Sequence, residues 1–222
     1  MTHSLHRRGS RESLEGDYIV FTNDPSTNDA EMNRKFVSIL ASNNPVGCVT
    51  SATINGDKET YRYLKGWTPK LDSGLHHHAT LEEIKNVERP TQFNAVYNNK
   101  EDVIKVVKEI VDQDIEYSVV ISGIFSEVKE ICESAGLEPH TLNMSYESHG
   151  KTSLLAEPKI LEFMTMCGHG FVGAPLVKHL LERVRKGNMT PEDAAVEMGK
   201  QCTCNFFNTD RAAKLIKDYF KE

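Results

Sequence analysis

Apolar residues in the second half of the chain recur with helical period. Val103, Ile104, Val106, Val107, Ile110 and Val111 share one face between Glu101 and Asp112, so that stretch reads as an amphipathic helix. Tyr117 to Ser122, with Val119, Val120 and Ile121 at its centre, predicts a buried strand. Gly123 to Ala135 returns to helical spacing through Phe125, Val128 and Ile131, and Gly136 is placed to stop it. Further strands are expected at Thr141 to Ser145 and Ile160 to Met166. A helix through Val177, Leu180, Leu181 and Val184 should then stop at Gly187, and a second should start at the Thr190-Pro191 cap. Asn208 or Thr209 can cap a last helix carrying Ala212, Leu215, Ile216, Tyr219 and Phe220.

The first half is less regular. Asp17 to Thr22 reads as a strand, and residues 29–42 as a helix ended by Asn43-Asn44-Pro45. Val46 to Ile54 reads as a strand closed by the turn Asn55-Gly56-Asp57. Residues 58–100 scatter aromatics among glycines and prolines, which suggests a long lid-like loop, with a capping box at Thr80 and Glu83 inside it. These patterns predict an α/β (or α+β) fold: a mixed sheet flanked by helices, with a C-terminal helical hairpin plus a final helix. They divide the chain into an irregular N-terminal region, 1–98, and an α/β C-terminal region, 99–222, able to share one core.

At 222 residues, such a chain buries a core without a metal or disulfide staple, so a metal here would be functional. The net charge of −6 argues against a nucleic-acid footprint or an anionic membrane surface. A small-molecule anionic substrate remains as the expected partner, and an oligomer is compatible with this reading. The polar start Met1-Thr2-His3-Ser4 lacks a secretion signal's apolar core, and no run is long enough to span a bilayer. Five cysteines, two of them one residue apart, fit a disulfide framework badly, so reduced thiols and a cytoplasmic location are expected.

Three of those cysteines carry the chemistry. Cys167 heads the run Cys167-Gly168-His169-Gly170, and Cys202-Thr203-Cys204 follows one helical hairpin later. Helices joined by a short loop run antiparallel, which returns Cys202 and Cys204 toward Cys167. Thiolates are the preferred ligands of soft metals and iron–sulfur clusters, and three without a fourth suit a [4Fe–4S] cluster with one iron open. Gly168 and Gly170 would leave backbone N–H groups facing such a cofactor. Adding His169 gives a Cys₃His zinc site as the alternative. Two further readings stand: a metal-free thiol enzyme with Cys167 as nucleophile, and a metal or cluster carrier.

Around this centre, His149 and His169 are candidate acid/base groups, and Lys151 a candidate catalytic cation. Arg7 and Arg8 in the N-terminal arm can grip an anion. In Leu75-His76-His77-His78, His76 and His78 share one side of a strand and are added as substrate contacts. Gly150-Lys151-Thr152 ends like a phosphate-binding loop, but Ser145 stands where its first glycine is needed, so a nucleotide site is rejected. Cys48 and Cys132 sit in apolar settings and read as packing residues.

Overall fold

A computed structural model describes residues 3–22, 29–67, 76–145 and 148–221. Six strands form one mixed sheet in the order β4-β3-β2-β5-β1-β6, every pair antiparallel except β3 with β4. The strands are β1 (Tyr18–Thr22), β2 (Gly47–Ile54), β3 (Asp57–Leu64), β4 (His76–His78), β5 (Gln92–Tyr97) and β6 (Val119–Ser122). Strands from both sides of residue 98 therefore pair in the same sheet. Among the described residues, no helix is long and apolar enough to cross a membrane.

Alternation along the central strands builds two cores. Ile19 and Phe21 of β1 and Val96 of β5 join the cluster on one face, whereas Tyr18, Val20, Ala95 and Tyr97 join the other. The second face is covered by α2 (Ala30–Ser42), α3 (Leu81–Lys85), α4 (Lys100–Asp112) and α5 (Phe125–Ser134). The first face is covered by α6 (Pro158–Met164), α7 (Ala174–Arg185), α8 (Pro191–Gly199) and α9 (Thr209–Tyr219). With helices on both faces, the centre of the sheet is buried: β1 is buried along its whole length, and so is β2 from Gly47 to Ala52.

Local chemistry accounts for most element ends. Asn55 and Gly56 both take positive φ, 51° and 93°, which is the turn geometry that joins β2 to β3 in two residues. Asp29, Asn99, Thr190 and Asn208 each accept from backbone N–H groups at the start of their helices, and Thr80 with Glu83 completes the capping box of α3.

Three expectations are corrected. The expected strand at Ile160 to Met166 is instead the helix Pro158–Met164 followed by a turn, because Pro158 starts a helix and Ile160 and Phe163, three apart, turn to the same core. Thr141 to Ser145 forms no strand: Leu142 and Met144 are 50% and 75% exposed, so the stretch has no layer to pack on. Much of 58–100 is ordered as β3, β4, α3 and β5, with β5 inserted between β2 and β1. Residues 68–75 of that lid-like stretch lie outside the described residues, as does the His76 side chain.

The N-terminal arm, with α1 (Arg11–Leu14), docks on the C-terminal helices. Arg211, on α9, reaches Asp17 at 3.0 Å, Ser13 at 2.9 Å, the Arg8 carbonyl at 3.0 Å and Glu162 at 3.2 Å. Arg7 pairs with the same Asp17 carboxylate, and both members of that pair are buried. Two buried guanidiniums thus share one carboxylate, and Arg211 has Glu162 as a second partner.

Candidate metal centre

Two separate segments supply the sulfur atoms. Cys167 follows α6 in a loop where Gly168 and Gly170 adopt φ of 86° and 73°, a conformation that favours glycine. Cys202 and Cys204 lie in the connection from α8 to α9, where the Cys202 N–H donates to the Gly199 carbonyl and the Asn205 N–H to the Cys202 carbonyl. The Cys202 and Cys204 Sγ atoms are 3.3 Å apart, and His169 Nδ1 is 3.3 Å from Cys204 Sγ. One ligand atom from each of Cys167, His169 and Cys204 falls within 4.8 Å of the others, so this group could hold a metal ion.

Their protonation is interdependent. Thiol hydrogen bonds from Cys202 and then Cys204 hold the Cys167 thiol down, to about 2, outweighing the opposing effect of burial. Cys202 is pushed up to about 12, first by burial and then by its bond to Cys167. Cys204 is raised by its hydrogen bonds to Cys167 and Cys202 and by burial. Hydrogen bonding among the three sulfurs thus favours the thiolate form at Cys167 and the thiol form at Cys202 and Cys204, and a metal would displace the remaining protons. Cys48 lies in the opposite core, its thiol pushed up to about 12 by burial, and Cys132 is half-buried on α5. Neither joins the group.

The sheet anchors the second cysteine segment through cross-strand register. Arg62, Val49 and Asn94 are direct partners across β3, β2 and β5, so they lie in one row on one face. From that row, Arg62 Nη2 donates to the Cys202 carbonyl at 2.5 Å, and Asn94 Nδ2 to the Cys204 carbonyl at 2.9 Å. Asn205 then donates to the Cys48 carbonyl at 3.0 Å and the Tyr63 carbonyl at 2.7 Å, pinning the turn across β2 and β3. Asn205 has φ of 58°, in the left-handed region that asparagine tolerates better than most residues. Gly47 makes room for it: a Cβ there would meet Asn205 Nδ2 at 2.9 Å.

Arg62 also sets the electrostatics. It is 4% exposed, its Nε lacks a partner, and no carboxylate pairs with it among the described residues. Burial lowers its pKa, while the Cys202 and Cys204 thiols act in the opposite direction. A guanidinium stays charged in a protein, so this one needs negative charge beside it. Arg7 is influenced in the same way by Cys167, after burial, Asp17 and Arg211.

On its outer side the group borders a cavity of about 460 Å³, lined by Cys204, His169, Phe171 and Thr203 together with Lys58, Thr60 and Gln92 of the sheet. The His169 ring stacks on Phe171 with centroids 4.7 Å apart. The other sequence candidates lie elsewhere. Arg7 is buried against Asp17; Arg8 binds Thr165 through its backbone and Ser148 through its side chain. His149 and Lys151 are exposed and do not line this cavity. His78 packs on Trp67, while the His76 backbone pairs with Thr60.

Sequence reading missed Arg62, Asn94, Asn205 and Gln92. The available signal was the alternation of Lys58, Thr60, Arg62 and Leu64 with Glu59, Tyr61 and Tyr63, which marks a strand with one face turned to the cysteines. No protein-family model, curated protein or solved structure matches this chain.

Proposed function

We propose that the chain is a metalloenzyme in which Cys167, Cys202 and Cys204 hold a [4Fe–4S] cluster with one iron open, acting on a small anionic substrate. The observation that carries this reading is the meeting of three thiols from distant segments, two of them beside a buried guanidinium that has no described carboxylate partner. A centre bound by three thiolates carries the negative charge that Arg62 lacks. When bound, the cluster would supply a Lewis-acidic or electron-donating iron. Arg62 and Asn94 hold the Cys202 and Cys204 carbonyls, and His169, half-buried at the cavity wall, is placed to exchange a proton with a bound molecule.

Each cluster ligand binds a different iron, so its sulfurs stand further apart than those sharing a single ion. Loading must therefore separate Cys202 from Cys204. The present 3.3 Å spacings favour a second reading, one ion such as zinc held by all three cysteines and His169. Zn–S bonds of about 2.3 Å in a tetrahedron put sulfurs roughly 3.8 Å apart.

Optical spectra of protein purified without oxygen separate the two readings. The cluster predicts a brown protein with broad visible absorption, lost in the Cys202→Ser/Cys204→Ser variant. A colourless protein that folds and retains one tightly bound zinc ion would overturn it.

A further inference from the structure

Among the described residues, the cavity beside Cys204 has one charged lining residue, Lys58, and no carboxylate. Lys58, Thr60 and Arg62 alternate along β3, so the cavity's cation lies on the same sheet face as the anchors of the cysteine turn. Next to it stands Gln92, whose amide orientation is fixed by two donors. Its Oε1 accepts from Ser51 Oγ at 3.3 Å and from Lys58 Nζ at 3.4 Å. An amide oxygen held this way turns the Nε2–H₂ group away from both donors, and no hydrogen bond to that nitrogen occurs among the described residues. Thr60 is engaged with Ser51 Oγ at 3.1 Å, which stiffens this wall.

We propose that this cavity binds a small carboxylate bearing a second oxygen donor, a 2-hydroxy or 2-oxo acid. Lys58 Nζ and Gln92 Nε2 receive the carboxylate, and the second oxygen faces Cys204 and His169. One ammonium beside one amide matches a single negative charge and two coplanar oxygens. A phosphate dianion would call for a guanidinium fork, and no arginine is among the described lining residues. The stacked Phe171 and His169 rings close the opposite side, leaving space for a short carbon chain. The assignment of the second oxygen rests on the metal-centre reading; the Lys58 and Gln92 clamp does not.

The test is calorimetric titration of the anaerobically purified protein, of known metal content, with glycolate, pyruvate, acetate and inorganic phosphate. Glycolate or pyruvate should bind about tenfold or more tightly than acetate or phosphate. Lys58→Met and Gln92→Leu should each weaken that binding about tenfold or more, with metal content unchanged. Equal binding by wild type and Lys58→Met, or a preference for phosphate, overturns the proposal. Should the protein carry no metal, the metal reading falls separately. Acetate titrated into wild type and Lys58→Met by NMR then decides the clamp: loss of binding in the variant upholds it, and unchanged binding sinks it.

Discussion

Replacing Arg62 with methionine tests the charge balance of the site, because the two states of the protein should respond with opposite sign. In the metal-free chain the guanidinium is buried without a described carboxylate partner and with an unpaired Nε, at a cost of several kcal/mol. Against that stands its bond to the Cys202 carbonyl, a charge-assisted contact worth about 1.5–3 kcal/mol. Methionine keeps much of the apolar stem and removes both terms, so the metal-free variant should be as stable as wild type or up to a few kcal/mol more stable. In the metal-loaded protein the same change removes the cation beside the thiolates. Metal affinity should then fall by about 1–3 kcal/mol, roughly 5- to 150-fold. Urea denaturation of both forms and competition with a chelator give the two numbers. A metal-free Arg62→Met protein that loses several kcal/mol while its metal affinity stays unchanged would refute the reasoning and make Arg62 a packing residue.

Three further outcomes follow from the geometry. Gly47→Ala drives a Cβ into Asn205, so the Cys202–Cys204 turn should detach, with metal affinity falling more than tenfold and stability by about 1–3 kcal/mol, read from chelator competition and urea melts. Asp17→Asn withdraws the carboxylate shared by Arg7 and Arg211 and should cost about 3–5 kcal/mol, with limited proteolysis cutting first in the N-terminal arm. Alkylation under native conditions should spare Cys167, Cys202 and Cys204 in metal-loaded protein and reach this group only after chelation, while Cys48, buried with its thiol raised, reacts only on unfolding.

Sequence carried the helices well, because amphipathic spacing and caps are local: Asp29, Thr80, Thr190 and Asn208 start helices, and Gly136 and Gly187 follow the ends of α5 and α7 with positive φ. It also paired the two cysteine segments, since a short loop between α7 and α8 makes their return path a matter of chain geometry. What it missed depends on partners far along the chain. Asn94 looks like a strand breaker until register sets it beside Val49 and beneath the Cys204 carbonyl. Arg62 looks like a surface cation until the cysteine turn covers it, and Asn205 like an ordinary turn residue until it spans β2 and β3. The helix at Pro158–Met164 reads as a strand in the sequence because its short apolar run fits either period, and only burial of Ile160 and Phe163 on one side separates them.

The most direct measurement is a count of iron, acid-labile sulfide and zinc in protein purified and analysed without oxygen, for wild type and for Cys167→Ser. A cluster on these thiols predicts iron and sulfide in equal amounts, about four of each per wild-type chain and far less in the variant. Wild-type protein without iron or sulfide, or iron retained in full by Cys167→Ser, would contradict it.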